Sequence, residues 1–186
     1  MAEMDLKDRL IKILGHDYVV AHHALAYYGK WTAELNATGY TNLRDALSHL
    51  RRFFDPALPN SDRAEQLTCA AEHIRRAATE AYQECFELYH DHARESYKQY
   101  REECIHKEQT LGYSGTFDHE HIIAELKRLR KELKECRRGK DGTDLDSLVE
   151  RLVPACEDIM ALAMLIQQCW QKHNECTGEG PIEPWP

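Results

Sequence analysis

The sequence predicts an all-α fold, an antiparallel bundle of five to six helices, several of them long. Three observations carry this. The chain is rich in the helix formers Ala, Leu, Glu, Lys, Arg and Gln and poor in Val and Thr. Its six prolines fall mostly near the ends of periodic segments and in the tail. Apolar residues recur at helical spacing through most of the chain, with no repeat of fixed period. At 186 residues one sizeable core is within reach, so a single helical domain over 1–174 with an irregular tail over 175–186 is expected.

The elements follow in order. A short amphipathic helix over about 5–14 meets Gly15 as its stop. A second, over about 17–35, takes Asp17 as its cap and carries Val20, Ala24, Tyr27, Tyr28, Trp31 and Leu35 at helical spacing. NATG at 36–39 reads as the break after it. A third helix starts near Thr41 or Asn42, with Leu43, Ala46, Leu47, Leu50 and Phe54 on one stripe, and ends at PALPNSD, where Pro56 and Pro59 disfavour helix. No breaker appears over 62–108, which is one very long helix or two joined near YHDHARE. TLGYSGTFD is a loop, a basic helix spans about 119–138, and GKDGTD is the next loop. A last helix runs to about 173 with Pro154 as an internal kink, before the tail NECTGEGPIEPWP.

Composition bounds the function. No stretch approaches the roughly 20 apolar residues of a membrane span, and MAEMDLKDRL lacks the apolar core of a signal peptide, so a soluble, cytoplasmic protein without membrane contact is expected. Seven cysteines at wide spacings, without CxxC, read as reduced thiols. A net charge of −8 excludes a uniformly nucleic-acid-binding surface. The basic residues are nevertheless concentrated: 125–140 holds eight of them against three acidic ones.

The sharpest motif lies in YTNLRDALSHLRRFFD, where LRDALSH separates Arg44 from His49 by four residues. An arginine can hold a phosphate and stabilise a pentacoordinate phosphorane, while a histidine can move a proton at a 2′-hydroxyl or leaving oxygen. Together they suffice for metal-independent RNA cleavage. Five residues at about 100 degrees each set the two side chains roughly 140 degrees apart on a regular helix. The pair therefore forms a site only at a distorted helix start or across two copies of the chain. Otherwise these are two polar residues flanking a packed face.

LRDALSH resembles the Arg-x4-6-His motif of the HEPN superfamily, all-α domains with an RNase site formed across a two-fold dimer. AEHIRRAATEAY at 71–82 is similar to the companion helix of HEPN-like proteins from prokaryotic defence or toxin contexts. The resemblance covers about 17–108. It implies a homodimer in which Arg44 binds the scissile phosphate, His49 is the general acid or base, Asp45 orients one of them, and the product carries a 2′,3′-cyclic phosphate. REECIH, with Arg101 and His106, shows the same spacing in a polar helical run.

Other candidates are weaker. His73 flanks the Ala70/Ile74/Ala77 face, from which it could reach the third helix and support Arg44 and His49. HDH at 90–92 and HEH at 119–121 set their histidines about 200 degrees apart on a helix, so they read as surface residues and no metal site is expected. His22 and His23 read as core or interface residues. No phosphate loop, nucleophile elbow or cofactor motif is present, and no cofactor is expected. On the basic helix, Ile122, Ile123, Leu126, Leu129 and Leu133 form the apolar stripe, leaving Lys127, Arg128, Arg130, Lys131, Lys134, Arg137 and Arg138 to hold RNA phosphates or an acidic partner, or simply to be solvated. Two functions compete: a HEPN-like endoribonuclease of prokaryotic defence or a toxin system, and a non-catalytic helical bundle that binds a protein partner such as an antitoxin or effector subunit.

Overall fold

The computed structural model describes residues 6–111, 119–138 and 145–177, with side chains through 102, 136 and 175 of those segments. The expected loops TLGYSGTFD and GKDGTD, the tail beyond 177 and the side chains of Cys104, His106, Arg137, Arg138 and Cys176 lie outside them in whole or part. The chain is all-α, with six α-helices and no strand among the described residues. It comprises two compact units, Met1–Glu84 with Asp144–Val149, and Cys85–Thr143 with Glu150–Pro186.

In the first unit, α1 (Leu6–Lys12) runs through a single π-helical turn, Ile13–Asp17, into α2 (Tyr18–Thr32). Gly15 does not stop the helix, because a glycine inside a helix costs only about 1 kcal/mol and the π turn absorbs the irregularity. Asp17 correspondingly makes no side-chain capping bond. The π turn buries Ile13 and Asp17, and Ala21, Ala24, Leu25 and Tyr28 follow on the inner face. His22 and His23, expected in a core or interface, are exposed in the chain. The end of α2 comes at Thr32 rather than 35, because Ala33 turns left-handed at φ 56 and donates its N–H to the Gly29 carbonyl at 3.1 Å.

NATG is the start of α3 (Ala37–Phe53), not a break. Asn36 is its cap, accepting the Gly39 N–H on its side-chain oxygen at 2.5 Å. Gly39 is required there: a Cβ would strike the Leu25 side chain of α2 and lie 2.7 Å from Asn36 Oδ1. The buried line of α3 is Gly39, Leu43, Ala46, Leu50 and Phe53. Leu47 and Phe54, expected on that stripe, are 55% and 59% exposed.

The segment after Pro59 is one helix, α4 (Asn60–Leu111), 52 residues long. Arg63 ties its first turn to the end of α3, donating Nε to the Phe53 carbonyl at 2.9 Å with its guanidinium 4.9 Å above the Phe53 ring. From Asn60 to Glu84 α4 serves the first unit, burying Leu67, Ala70, Ile74, Ala77, Ala78, Ala81 and Tyr82.

From Cys85 onward it serves the second unit, with Phe86, Tyr89, Ala93, Tyr97 and Tyr100 buried. There α5 (His119–Arg138) buries Ile122, Leu126, Leu129, Leu133 and Cys136. Further along, α6 (Leu145–Thr177) runs through Pro154 to Thr177, beyond the expected end near 173. Cys85 and Cys156 are both fully buried, and neither is in a disulfide. Donation of its S–H to Cys85, together with burial, pushes the Cys156 thiol far above its ordinary value, which keeps it protonated.

Two substitutions in opposite directions test the joint between α2 and α3. Gly39→Ala should destabilise by about 1–3 kcal/mol, the usual cost of forcing a methyl into a packed contact. Ala33→Gly should stabilise by up to about 1 kcal/mol by relieving a left-handed residue. Denaturant midpoints of the two variants in the same order, or both unchanged, would refute this packing.

Candidate functional site

The polar residues of α3 and α4 meet in one seam. Gln66, His73 and Glu80 stand seven residues apart on α4, and Glu84 follows one turn later. His49 Nδ1 lies 2.8 Å from Gln66 Oε1 and His73 Nδ1 lies 3.1 Å from Asn42 Oδ1. Asn42 Nδ2 donates to Glu80 Oε2 at 2.8 Å and to the Thr38 carbonyl at 3.2 Å, and Asn36 Nδ2 donates to Glu84 Oε2 at 2.7 Å. Numbers fall along α3 as they rise along α4, so the two helices are antiparallel. The His49 and His73 rings stack, 5.4 Å apart and 21° from parallel.

Amide oxygens only accept, so in both contacts the histidine donates its Nδ1 proton. Glu84 is held above its ordinary value, first by burial and then by the Glu80 carboxylate, with the Asn36 amide opposing.

Arg44 belongs to a different surface. Its side chain is 72% exposed and reaches sideways, with Nε 3.2 Å and Nη2 3.1 Å from Asp45 Oδ1. Because α3 starts at Ala37, Arg44 lies about two turns inside a regular helix. One chain therefore groups Arg44 with Asp45 and His49 with His73, and leaves Arg44 and His49 about 140 degrees apart around α3.

On α5, Lys127, Arg130, Lys131 and Lys134 are exposed and fall within an arc of about 100 degrees, opposite the buried line. Arg128 is drawn out of this group: it bonds Asp158 at 2.9 Å, Glu125 at 2.9 Å and Glu132 at 3.2 Å, and the Asp158 and Glu125 bonds raise its already high pKa. Lys131 approaches Glu135 at 3.8 Å. Arg130 and Lys134 face Glu87 and Asp91 across a cleft of about 290 Å³ floored by Phe86 and His90. His90, expected at the surface, is buried, stacked on Phe86 at 5.9 Å and donating to the Leu126 carbonyl at 3.3 Å. His119 likewise has a partner, with Nδ1 2.9 Å from the Tyr97 hydroxyl.

Among the described residues no group of three or more His, Cys, Asp or Glu side chains is placed to hold a metal ion, and no helix is long and apolar enough to cross a membrane. Comparison with protein-family models, curated proteins and solved structures gives no match. The seam residues Asn36, Asn42, Gln66, Glu80 and Glu84 escape sequence reading as a group. Their signal is the 66–73–80 spacing of polar residues beside an apolar line.

Glu84 carries the pH dependence. With its folded pKa raised, the native state holds more protons than the unfolded one as Glu84 titrates, so stability falls as pH rises from the unfolded value through the folded one. Glu84→Gln retains an acceptor for Asn36 and should raise the melting temperature at pH 7, with the gain vanishing near pH 4, about where unfolded carboxylates titrate. A gain equal at both pH values would refute the assignment.

Proposed function

We propose that this chain is a non-catalytic helical protein that acts by binding a protein partner, as an accessory or regulatory subunit. The separation of Arg44 from His49 along α3 carries the reading. A phosphoryl-transfer site needs its cation and its proton carrier near one phosphate. Here His49 is engaged by Gln66 and His73, while Arg44 leans on Asp45 from the other flank.

A second reading is a HEPN-like, metal-independent endoribonuclease acting as a homodimer in prokaryotic defence or a toxin system. The His49 contact favours it, because Gln66 engages Nδ1 and leaves Nε2 as the ring nitrogen open to a substrate. On that reading His49 of one copy takes the 2′-hydroxyl proton as the oxygen attacks phosphorus. Arg44 of the other copy stabilises the phosphorane, Asp45 orients Arg44, and the departing 5′-oxygen leaves a 2′,3′-cyclic phosphate. Lys127, Arg130, Lys131 and Lys134 would hold RNA phosphates.

The purified full chain, incubated with end-labelled single-stranded RNA in EDTA, separates the two. Partner binding without catalysis expects no cleavage above the buffer rate. Cleavage leaving 2′,3′-cyclic ends, and reduced about 100-fold or more in a folded His49→Ala variant, overturns that reading in favour of the nuclease.

A further inference from the structure

We propose that the outer face of α3 is the docking seam for the protein partner, and that what docks there is an acidic amphipathic helix rather than a second copy of this chain. The inference rests on the partner-binding reading and names its surface and chemistry. Tyr40, Leu47 and Phe54 are 47%, 55% and 59% exposed. They stand seven residues apart, and a seven-residue step drifts only about 20 degrees on an α-helix. The three side chains therefore form one straight ridge about 21 Å long. Single exposed apolar residues are ordinary, but Tyr40 and Leu47 on α3 in register with Phe54, its C-cap residue, make a continuous patch of the kind that helices dock against.

The ridge is not a misplaced part of the core. The buried line Leu43, Ala46, Leu50 and Phe53 runs beside it and is complete. Nor does the chain cover it with a charge that would keep it wet. Arg44 and Arg51 follow Tyr40 and Leu47 by one turn on the same side, while Arg52 lies about 140 degrees around the helix from Leu47. Asp45 is the only carboxylate on α3, and Arg44 holds it at 3.1 Å. Arg51 and Arg52 make no ion pair among the described residues.

This charge pattern selects the occupant. If two copies of α3 paired antiparallel about Leu47, Tyr40 would lie on Phe54 of the other copy and Arg44 beside its Arg51. In a parallel pairing Arg44 would lie beside its own equivalent. Both arrangements oppose like charges, with no free carboxylate on the face to answer them, and such juxtapositions are what exclude wrong partners. A helix with apolar residues at the same seven-residue spacing and Glu or Asp beside them meets the ridge with its apolar line and both arginines with its carboxylates.

Two synthetic helical peptides test this, each with three leucines seven residues apart, one carrying glutamates beside them and the other lysines at the same positions. In fluorescence anisotropy with the full chain, the glutamate peptide should bind about tenfold or more tighter than the lysine peptide. Leu47→Asp should weaken it by a similar factor without lowering the melting temperature, and Arg51→Glu should reverse the preference between peptides. Binding of neither peptide, equal binding of both, or indifference to Leu47→Asp overturns the proposal. So does sedimentation of the chain as a dimer that Leu47→Asp converts to monomer, which gives the ridge to a second copy. These outcomes do not depend on RNA cleavage, so the docking surface and the partner-binding reading fail separately.

Discussion

Burial of α4 constrains everything else, because a helix of 52 residues, about 78 Å long, is not held by propensity alone. Each unit must supply neighbours to its own stretch of it, and the two stretches ask for different neighbours. From Leu67 to Ala81 the buried positions are mostly alanine, which lets adjoining helices approach closely. From Phe86 to Tyr100 they are mostly aromatic. Aromatic side chains hold helices further apart and bring polar tips that need partners, and Tyr97 meets His119 for this reason.

Against the alanine stretch, α3 presents two lines side by side, one apolar and one polar. The apolar line supplies most of the burial energy. The polar line adds less, since a hydrogen bond contributes about 1 kcal/mol net. Its effect is on register. A shift of either helix would strand Asn42, His73 and Glu80 without partners in a half-buried seam, and each stranded group costs about 1–3 kcal/mol. That constraint explains why His49 lies where it does. Its position serves the seam first, and any chemistry it performs must work from a ring already stacked on His73 and tied to Gln66.

Legibility follows from how local each feature's cause is. The bounds of α5 are readable because a clean apolar stripe and a basic end both lie within 119–138. The continuity of α4 is half readable: the apolar period persists, but the polar run at YHDHARE is decided by neighbours the sequence does not display. The π turn at Ile13–Asp17 leaves no signature, since Gly15 serves equally as a stop or as a tolerated interior residue. Thr41 and Asn42 look like caps as good as Asn36, and only the approach of Leu25 to Gly39 decides for Asn36. Leu47 and Phe54 mislead most, because an apolar residue one position off the core line satisfies the same helical period.

That last ambiguity bears on function. A residue such as Leu47 fits a helical stripe whether the stripe is the core or a surface, and the difference lies in what stands beside it. Core lines in this chain are flanked by residues that find partners within the chain: Asn42 finds Glu80, and Arg63 finds Phe53. The Tyr40–Leu47–Phe54 line is flanked by arginines whose one internal carboxylate is already taken. The cations of α5 are sorted in the same way, with Arg128 absorbed by three carboxylates while Arg130 and Lys134 share a cleft with Glu87 and Asp91. In a chain of net charge −8, carboxylates to neutralise these arginines and lysines are plentiful. Leaving Arg51 without an ion pair among the described residues beside an exposed apolar line keeps positive charge available on the outer face of α3, which is the arrangement the proposed docking of an acidic helix uses.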